Sequence, residues 1–523
     1  MMHDGKRPKD ALAAMVLALL LSLSAVNGKA LAKPLYRMSQ GEIGFEGFVD
    51  EVRSGYTANR SLSKNCFIDL NGLFARLTGR RVLNDVVRCD DGMLTQAVEE
   101  EDISDLAQNI VELASYLDGC EDIPFIYVQM PYKEDLEGEL LPEGIESFAN
   151  QNADRLLSIL RDHGICCLDT RPWVCRTTEM IERYFYSTDH HWTAEGAFAA
   201  FREITAELQK MFPGANIELD HTREELWERH EKEDWMLGSR GKRVGRFFAG
   251  TDPLIWLTPR FETEMSCSVP SLGDLRKGDF NAANISSRHI DNGNFWSLNS
   301  YCVYIGSDHP LVQHRNLDAC SNMKVLIIKD SFSLPLQTYL STVFQEVDAL
   351  DPRYFRECSI AEYIDWTQPD VVIYAINPDQ FPDRSFRRFG VAGMRQALEQ
   401  KGDYQVVEQG DIGLEARDVR YNYTGIPLEQ GSVYKVTFDD VEILAGDTQG
   451  VGLRLCNTTT EKDIGNIIFD ISYCRDKEGF TWTFRTPETD DELRLLFYAG
   501  IYGHTAGNRV VYRNVRLEKW AAA

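Results

Sequence analysis

The segment Tyr186-Ser187-Thr188-Asp189-His190-His191-Trp192-Thr193 brings three protonatable side chains to the mouth of a helix. Asp189 and His191 are two positions apart, so an extended lead-in points both to one side. Paired in this way, a carboxylate can fix the tautomer of an imidazole and stabilise its cation, and the imidazole can take a proton from a nucleophile. The nucleophile must come from elsewhere in the chain. Ser331, in Lys329-Asp330-Ser331-Phe332-Ser333, ends the apolar run Val325-Leu326-Ile327-Ile328. A serine at the C-terminal end of a parallel strand lies where α/β sheets bind ligands. Backbone N–H groups of such a turn can stabilise an oxyanion. The plainer alternative makes Ser331 a helix cap and Asp189 a loop carboxylate. Two matching strand-to-helix mouths in one chain weigh against that coincidence.

The neighbours are read less sharply. His190 is either a substrate contact or a packed neighbour, and Trp192 is a core residue or the floor of a cleft. Both are carried as candidate substrate-binding residues. A metal site at Asp189, His190 and His191 fits poorly, because adjacent His side chains point in different directions and no further ligand stands at helical spacing. The chemistry assigned to the triad requires no cofactor.

Positioning these residues requires an ordered frame. Thr193 is the N-cap candidate of a helix whose apolar face is Ala197, Phe201, Ile204, Leu208 and Met211. Phe125-Ile126-Tyr127-Val128 is a continuous apolar strand of the kind buried on both faces in a parallel sheet. Val86-Val87-Arg88 is a further short strand. Ser104 is expected to cap a helix bearing Leu106, Ile110, Leu113 and Leu117. A second helix is expected from about Ile145 to Asp162, then a strand from Ile165 to Leu168. After a long interruption the alternation resumes with Val325 to Ile328 and a helix holding Leu336, Tyr339, Leu340 and Val343. The strand Val371 to Ile376 follows, ending at Asn377-Pro378. Alternating strands and helices define an α/β layered domain. Residues from about 213 to 322 read as an inserted run of loops and short strands shaping a cleft. From about Gly413 onward, short strands such as Tyr434 to Phe438 and Leu493 to Tyr498 recur with turn residues between them, the pattern of a β-sandwich.

A chain of 523 residues divides into two or three domains. Its formal charge of −26 argues against nucleic acid or an anionic membrane surface as the main partner. Lys6, Arg7 and Lys9 precede an apolar run from Ala11 to Val26, and Ala30-Leu31-Ala32 is a cleavage candidate. Residues 1–32 therefore read as a signal peptide or an uncleaved signal anchor, placing the protein outside the cytoplasm in the envelope or beyond. Twelve cysteines in an exported chain raise the question of disulfides, but they are scattered and no C-x-x-C pair occurs.

Asp189-His190-His191-Trp192 with Thr193 and Gly196-Ala197, followed by Lys329-Asp330-Ser331-Phe332, closely resembles the DHHW proteins. These are similar to the SGNH-hydrolase-like alginate O-acetyltransferases of bacterial envelopes. The resemblance runs from about Gly44 to Gln400 and includes Asp351-Pro352-Arg353-Tyr354 and Pro369-Asp370-Val371-Val372. It implies a flavodoxin-like SGNH fold in permuted order over residues 44–405, with Ser331 as nucleophile, His191 as base and Asp189 as its orienting partner. Lys329 stands where many SGNH enzymes carry Gly, and Asn377 is the candidate for the oxyanion-hole asparagine. Residues 413–523 resemble a carbohydrate-binding sandwich of jelly-roll type, with Tyr498 or Tyr502 as stacking platforms for sugar rings; a purely structural sandwich is the alternative. The implied activity is O-acetyl transfer on an envelope or extracellular polysaccharide, with a membrane-bound O-acyltransferase as acetyl donor. An acetylesterase of the same fold and a non-catalytic glycan-binding or assembly protein are the alternatives.

Overall fold

The computed structural model describes residues 64–355 apart from 273, then 359–391, 404–416, 423–446, 451–457, 462–468, 480–486, 490–500 and 506–520, with short pieces at 36–38, 40 and 47. The expected export signal lies outside the described residues, as does Tyr502. No described helix is long and apolar enough to cross a membrane.

The elements that carry the site, in chain order, begin with α1 (Ser104–Tyr116), β1 (Phe125–Gln129), α2 (Ala149–Asp162), β2 (Cys166–Asp169) and α3 (Ala194–Met211). Next come α4 (Ser239–Val244), β3 (Met265–Val269), β4 (Asp274–Gly278), β5 (Leu311–Asn316) and β6 (Ser321–Lys329). The last are α5 (Ser333–Leu340), β7 (Phe344–Leu350), α6 (Ile360–Thr367) and β8 (Val371–Ile376). One eight-stranded sheet has the order β2-β1-β8-β6-β7-β5-β3-β4. The first five strands of that order are mutually parallel, and β5, β3 and β4 add antiparallel pairings at the far edge.

The inner strands form because their sequences are apolar on both faces, and every residue of β1 and β8 is buried. Register then decides what meets at the sheet edge. Ile328 pairs with Leu350 on one side and Tyr374 on the other, while Ile376 pairs with Gln129. The four strands therefore end level, and Met130, Ser331, Asp351 and Asn377 all emerge along one rim.

Three helices differ from expectation at their ends. The cap position of α1 is Ile103, so Ser104 is its first helical residue rather than its cap, and Leu117 lies past its end. The start of α2 is Ala149 rather than Ile145, because Gly144 is left-handed at φ 84° and the Phe148 N–H donates to Val98 O instead of entering a helical ladder. The end of α5 is Leu340, so Val343 lies in the short link to β7.

The run 213–322 is more than loops. It supplies β3, β4 and β5 to the central sheet, and a hairpin of Trp227–Met236 with Asp252–Pro259. β3 alternates buried Met265, Cys267 and Val269 with partly exposed serines, a half-buried period of two that small residues make faint.

The sandwich begins at Tyr404, earlier than expected. Strand Tyr404–Glu415 is mostly exposed and polar, and it pairs along Arg509–Trp520. A five-stranded sheet holds those two with Val433–Phe438, Phe480–Arg485 and Asp440–Ala445; a four-stranded sheet holds Tyr423–Leu428, Leu493–Ala499, Val451–Asn457 and Lys462–Ile468. Tyr434, Trp482, Leu453 and Phe497 fill the space between the two sheets. The sandwich packs on α6 through strand Phe480–Arg485, and the two regions share one apolar cluster. Cys66, Cys89, Cys166, Cys167, Cys175, Cys267, Cys302 and Cys320 are free thiols.

Candidate active site

Thr193 caps α3 as expected, its hydroxyl accepting from Gly196 N at 3.2 Å. The cap fixes the entry angle of the preceding segment, and a bridge between Phe185 and Trp192 closes that segment into a tight loop. Asp189 and His191 lie inside this loop, and Ser331 lies in the turn between β6 and α5. His191 Nε2 is 2.8 Å from Ser331 Oγ. His191 Nδ1 is 2.5 Å from Asp189 Oδ1. Both ring nitrogens are thus engaged, the second by a carboxylate that is fully buried.

The Asp189 carboxylate also accepts from His191 N at 3.1 Å and from Ser239 N at 2.6 Å. Burial by itself favours its neutral acid, but the neighbouring His190 and His191 and the hydrogen bonds from His191 and Ser239 outweigh it, holding the carboxyl well below the usual range. Asp189 is therefore a standing anion against the imidazole.

At the Ser331 turn, Phe332 N donates to Asp330 Oδ1 at 2.9 Å, Ser333 N to Asp330 O, and Leu334 N to Ser331 O. Among the described residues the Ser331 N–H meets no acceptor, which leaves it as the donor this turn can offer to an oxyanion. Burial pushes the Asp330 carboxyl up to about 6, against the pull of Arg353 and the N–H groups of Asn377 and Phe332.

Of the candidate substrate contacts, His190 is half-buried, with Nδ1 2.7 Å from Ser239 Oγ and its ring 3.7 Å from that of His191. Burial, then the charge of His191, holds its imidazole well below the ordinary range, so it is neutral. Trp192 is fully buried and its indole N–H donates to Phe332 O at 2.9 Å; it ties the Asp189 loop to the Ser331 turn and cannot touch a substrate. Asn377 is 1% exposed, with Nδ2 donating to Pro131 O and Oδ1 accepting from Asp379 N at 2.9 Å. It fastens the loops after β1 and β8 and does not present its side chain to a substrate. Tyr498 is 5% exposed, clustered with Cys456 and Leu496, so it is no open stacking platform. Strand alternation sends it to the face opposite Leu495 and Phe497, and that face is covered too.

Several residues that hold the site were not legible in advance. Tyr301 stacks on His191, ring centroids 3.8 Å apart and 7° from parallel, and its hydroxyl donates to Ser331 O and Phe332 O at 3.0 Å. Asp252 accepts from Ser187 N and Thr188 N at 2.6 and 2.7 Å. Gly238 N donates to Thr188 Oγ1, and a Cβ on Gly238 would fall 2.4 Å from Asp189 Cα, so only glycine lets this part of the insertion reach the carboxylate. The fully buried Lys133 donates to main-chain carbonyls of the Asp189 loop. Lys329 is also fully buried, 2.5 Å from Asp308 and 3.6 Å from Asp351, both of which also bind Arg353. A glycine before Asp330 would leave that carboxylate pair with one cation.

A sheet of this topology, with a serine at one central strand end and an Asp-x-His loop facing it, defines an SGNH hydrolase-like α/β domain, permuted so that the Asp-x-His loop precedes the serine. Residues 89–235 match the family described as the SGNH hydrolase-like domain of acetyltransferase AlgX. The matched segment includes Asp189 and His191 and stops before Ser331. No curated protein matches the chain. Among solved structures, Bacillus cereus PatB1 is similar at 19% identity and TM-score 0.48, covering 58% of this chain and 98% of its own. A DHHW family protein from Eubacterium siraeum is similar at 15% identity and TM-score 0.46, covering 60% and 96%. Pseudomonas aeruginosa AlgX is similar at 14% identity and TM-score 0.37, covering 84% and 94%.

Proposed function

We propose that the protein is an exported O-acetyltransferase that acts on an envelope or extracellular polysaccharide through an acyl-serine intermediate. The observation that carries the reading is the pair of contacts around His191, 2.8 Å to Ser331 Oγ and 2.5 Å to Asp189. The acetyltransferase family matched by residues 89–235 supports it. Ser331 Oγ attacks the acetyl carbonyl as its proton passes to His191 Nε2, and the oxyanion forms opposite the Ser331 N–H. Collapse expels the donor's leaving group, which takes the proton from His191 and leaves acetyl on Ser331. A sugar hydroxyl then gives its proton to His191 and attacks the acyl-serine; collapse breaks the Ser331 Oγ–acetyl bond, Oγ takes the proton back from His191, and the acetylated sugar leaves. Outside the cytoplasm there is no acetyl-CoA pool, so the donor is a membrane-bound O-acyltransferase that passes acetyl groups across.

An acetylesterase follows the same steps with water as acceptor. The two separate on one measurement, the fate of acetyl from an activated ester in the presence of acceptor oligosaccharides. Acetylated sugar is the expected product; acetate alone identifies the esterase. Labelling by a serine-directed phosphonate is expected at Ser331 and absent in Ser331→Ala. Equal labelling of both proteins sinks the serine mechanism.

A further inference from the structure

Lys133 has no part in the proton transfers above, yet its ammonium is fully buried beside them. It lies just past the end of β1, on the same rim as Ser331. Nζ donates to three carbonyls of one loop: Tyr186 O, Ser187 O at 2.9 Å and Asp189 O at 2.9 Å. From the other edge of that loop, Asp252 accepts from Ser187 N, Thr188 N and Thr188 Oγ1. The loop that carries Asp189 is thus gripped by a cation on its carbonyls and an anion on its N–H groups. Lys133 is itself held, because Thr95 Oγ1 donates to Lys133 O at 2.9 Å and Tyr132 is bonded to Gln96 O and Arg240.

We propose that Lys133 is a positioning residue for the triad, its three-carbonyl grip holding Asp189 in line with His191. The inference rests on the serine mechanism proposed above. An ammonium has three hydrogens for three acceptors, whereas a neutral amine has two, so the grip is complete only while Lys133 is charged. Charged and titratable groups face it from each packed segment: Arg240 of α4, Asp252 of the hairpin, Cys89 just past the strand Val86–Arg88, and Asp189 and His190 of the loop itself. Burial, then the charge of Arg240, pulls the ammonium down to about 7, against the carboxylates. Cys89 adds no charge there, since burial pushes its thiol up to about 12. The complete grip is present below about pH 7 and is lost as pH rises through it.

The experiment measures the rate of Ser331 labelling by a phosphonate across pH on the full chain. In the wild type the rate is expected to fall above about pH 7. Lys133→Met is expected to label on the order of 10²-fold more slowly, the loss that a misplacement of about 1 Å brings, with the alkaline fall gone. Lys133→Arg, charged at every pH tested, restores rate to the extent that it fits and also lacks the fall. A wild-type rate that keeps level or climbs to about pH 9 overturns the proposal, as does a Lys133→Met protein with the wild-type rate and profile. The wild-type profile needs no variant to fold. Failure of the serine mechanism is distinct, since Ser331→Ala would then label like the wild type.

Discussion

The imidazole of His191 lies flat against the ring of Tyr301, 3.8 Å between centroids, while the Tyr301 hydroxyl holds the main chain of the Ser331 turn. One side chain therefore sets both the plane of the His191 ring and the height of Ser331. Tyr301→Phe keeps the stack and loses only the hydroxyl contacts, so labelling is expected to slow by no more than about 10-fold. Tyr301→Ala also removes the stack and should slow labelling on the order of 10²-fold. Circular dichroism separates this from unfolding, because emptying a buried aromatic site costs about 3–5 kcal/mol. Equal rates for the two variants would remove the stack from the account.

His190 and His191 adjoin in sequence and touch in space with their rings tilted by 37°, but only His191 faces both Asp189 and Ser331. His191→Ala is expected to lower turnover by roughly 10⁴-fold to 10⁶-fold. His190→Ala removes a neutral ring bonded to Ser239 and should cost about 10-fold or less. Rates of acetyl release decide the matter; comparable losses would make His190 part of the proton path.

This contrast also marks where sequence reading stops. Asp189 and His191 are legible because local spacing and the Thr193 cap place them together, and Ser331 because an apolar strand delivers it to the sheet rim. Lys133, Ser239, Asp252 and Tyr301 act across chain separations that only the folded topology closes, and as lone polar or aromatic residues they carry no periodic signal. The same logic governs the fold. β8, buried at every residue, is plain in sequence, whereas β4, Asp-Leu-Arg-Lys-Gly, and the exposed strand Tyr404–Glu415 carry no apolar pattern that points to a sheet. Asn377 and Tyr498 are covered where a binding role needs exposure, and Trp192 is the core residue that its type also allows, because residue type says what a side chain can bind and not whether it is covered.

Glu134, next to Lys133, gives a pH test of stability. Burial pushes its carboxyl up to about 7, against a hydrogen bond from Ser147 that favours the anion. A carboxyl raised from 4.5 in the unfolded chain binds its proton more tightly when folded. Its contribution is therefore fully present at acid pH and is lost as pH rises from about 4.5 to about 7. That interval corresponds to roughly 3 kcal/mol. Denaturant titrations should show the wild type losing stability relative to Glu134→Gln by an amount of that order between about pH 5 and about pH 8. A difference between the two proteins that does not change with pH would contradict the assignment.

Lys329 is the residue whose loss should affect folding most and chemistry least directly. Its ammonium is buried between Asp308 and Asp351, and Arg353 is the other cation of the group. Burial alone would neutralise the lysine, but the two carboxylates hold its pKa above the ordinary value. Lys329→Met fills similar volume but leaves two carboxylates to one guanidinium, with Asp351 fully buried. Removing one partner from such a group costs about 3–5 kcal/mol, so a clear fall in the denaturation midpoint is expected. The double variant Lys329→Met with Asp308→Asn restores the charge balance around Arg353 and Asp351 and should recover part of that loss. If the double variant is less stable than Lys329→Met, the lysine does not act by neutralising Asp308.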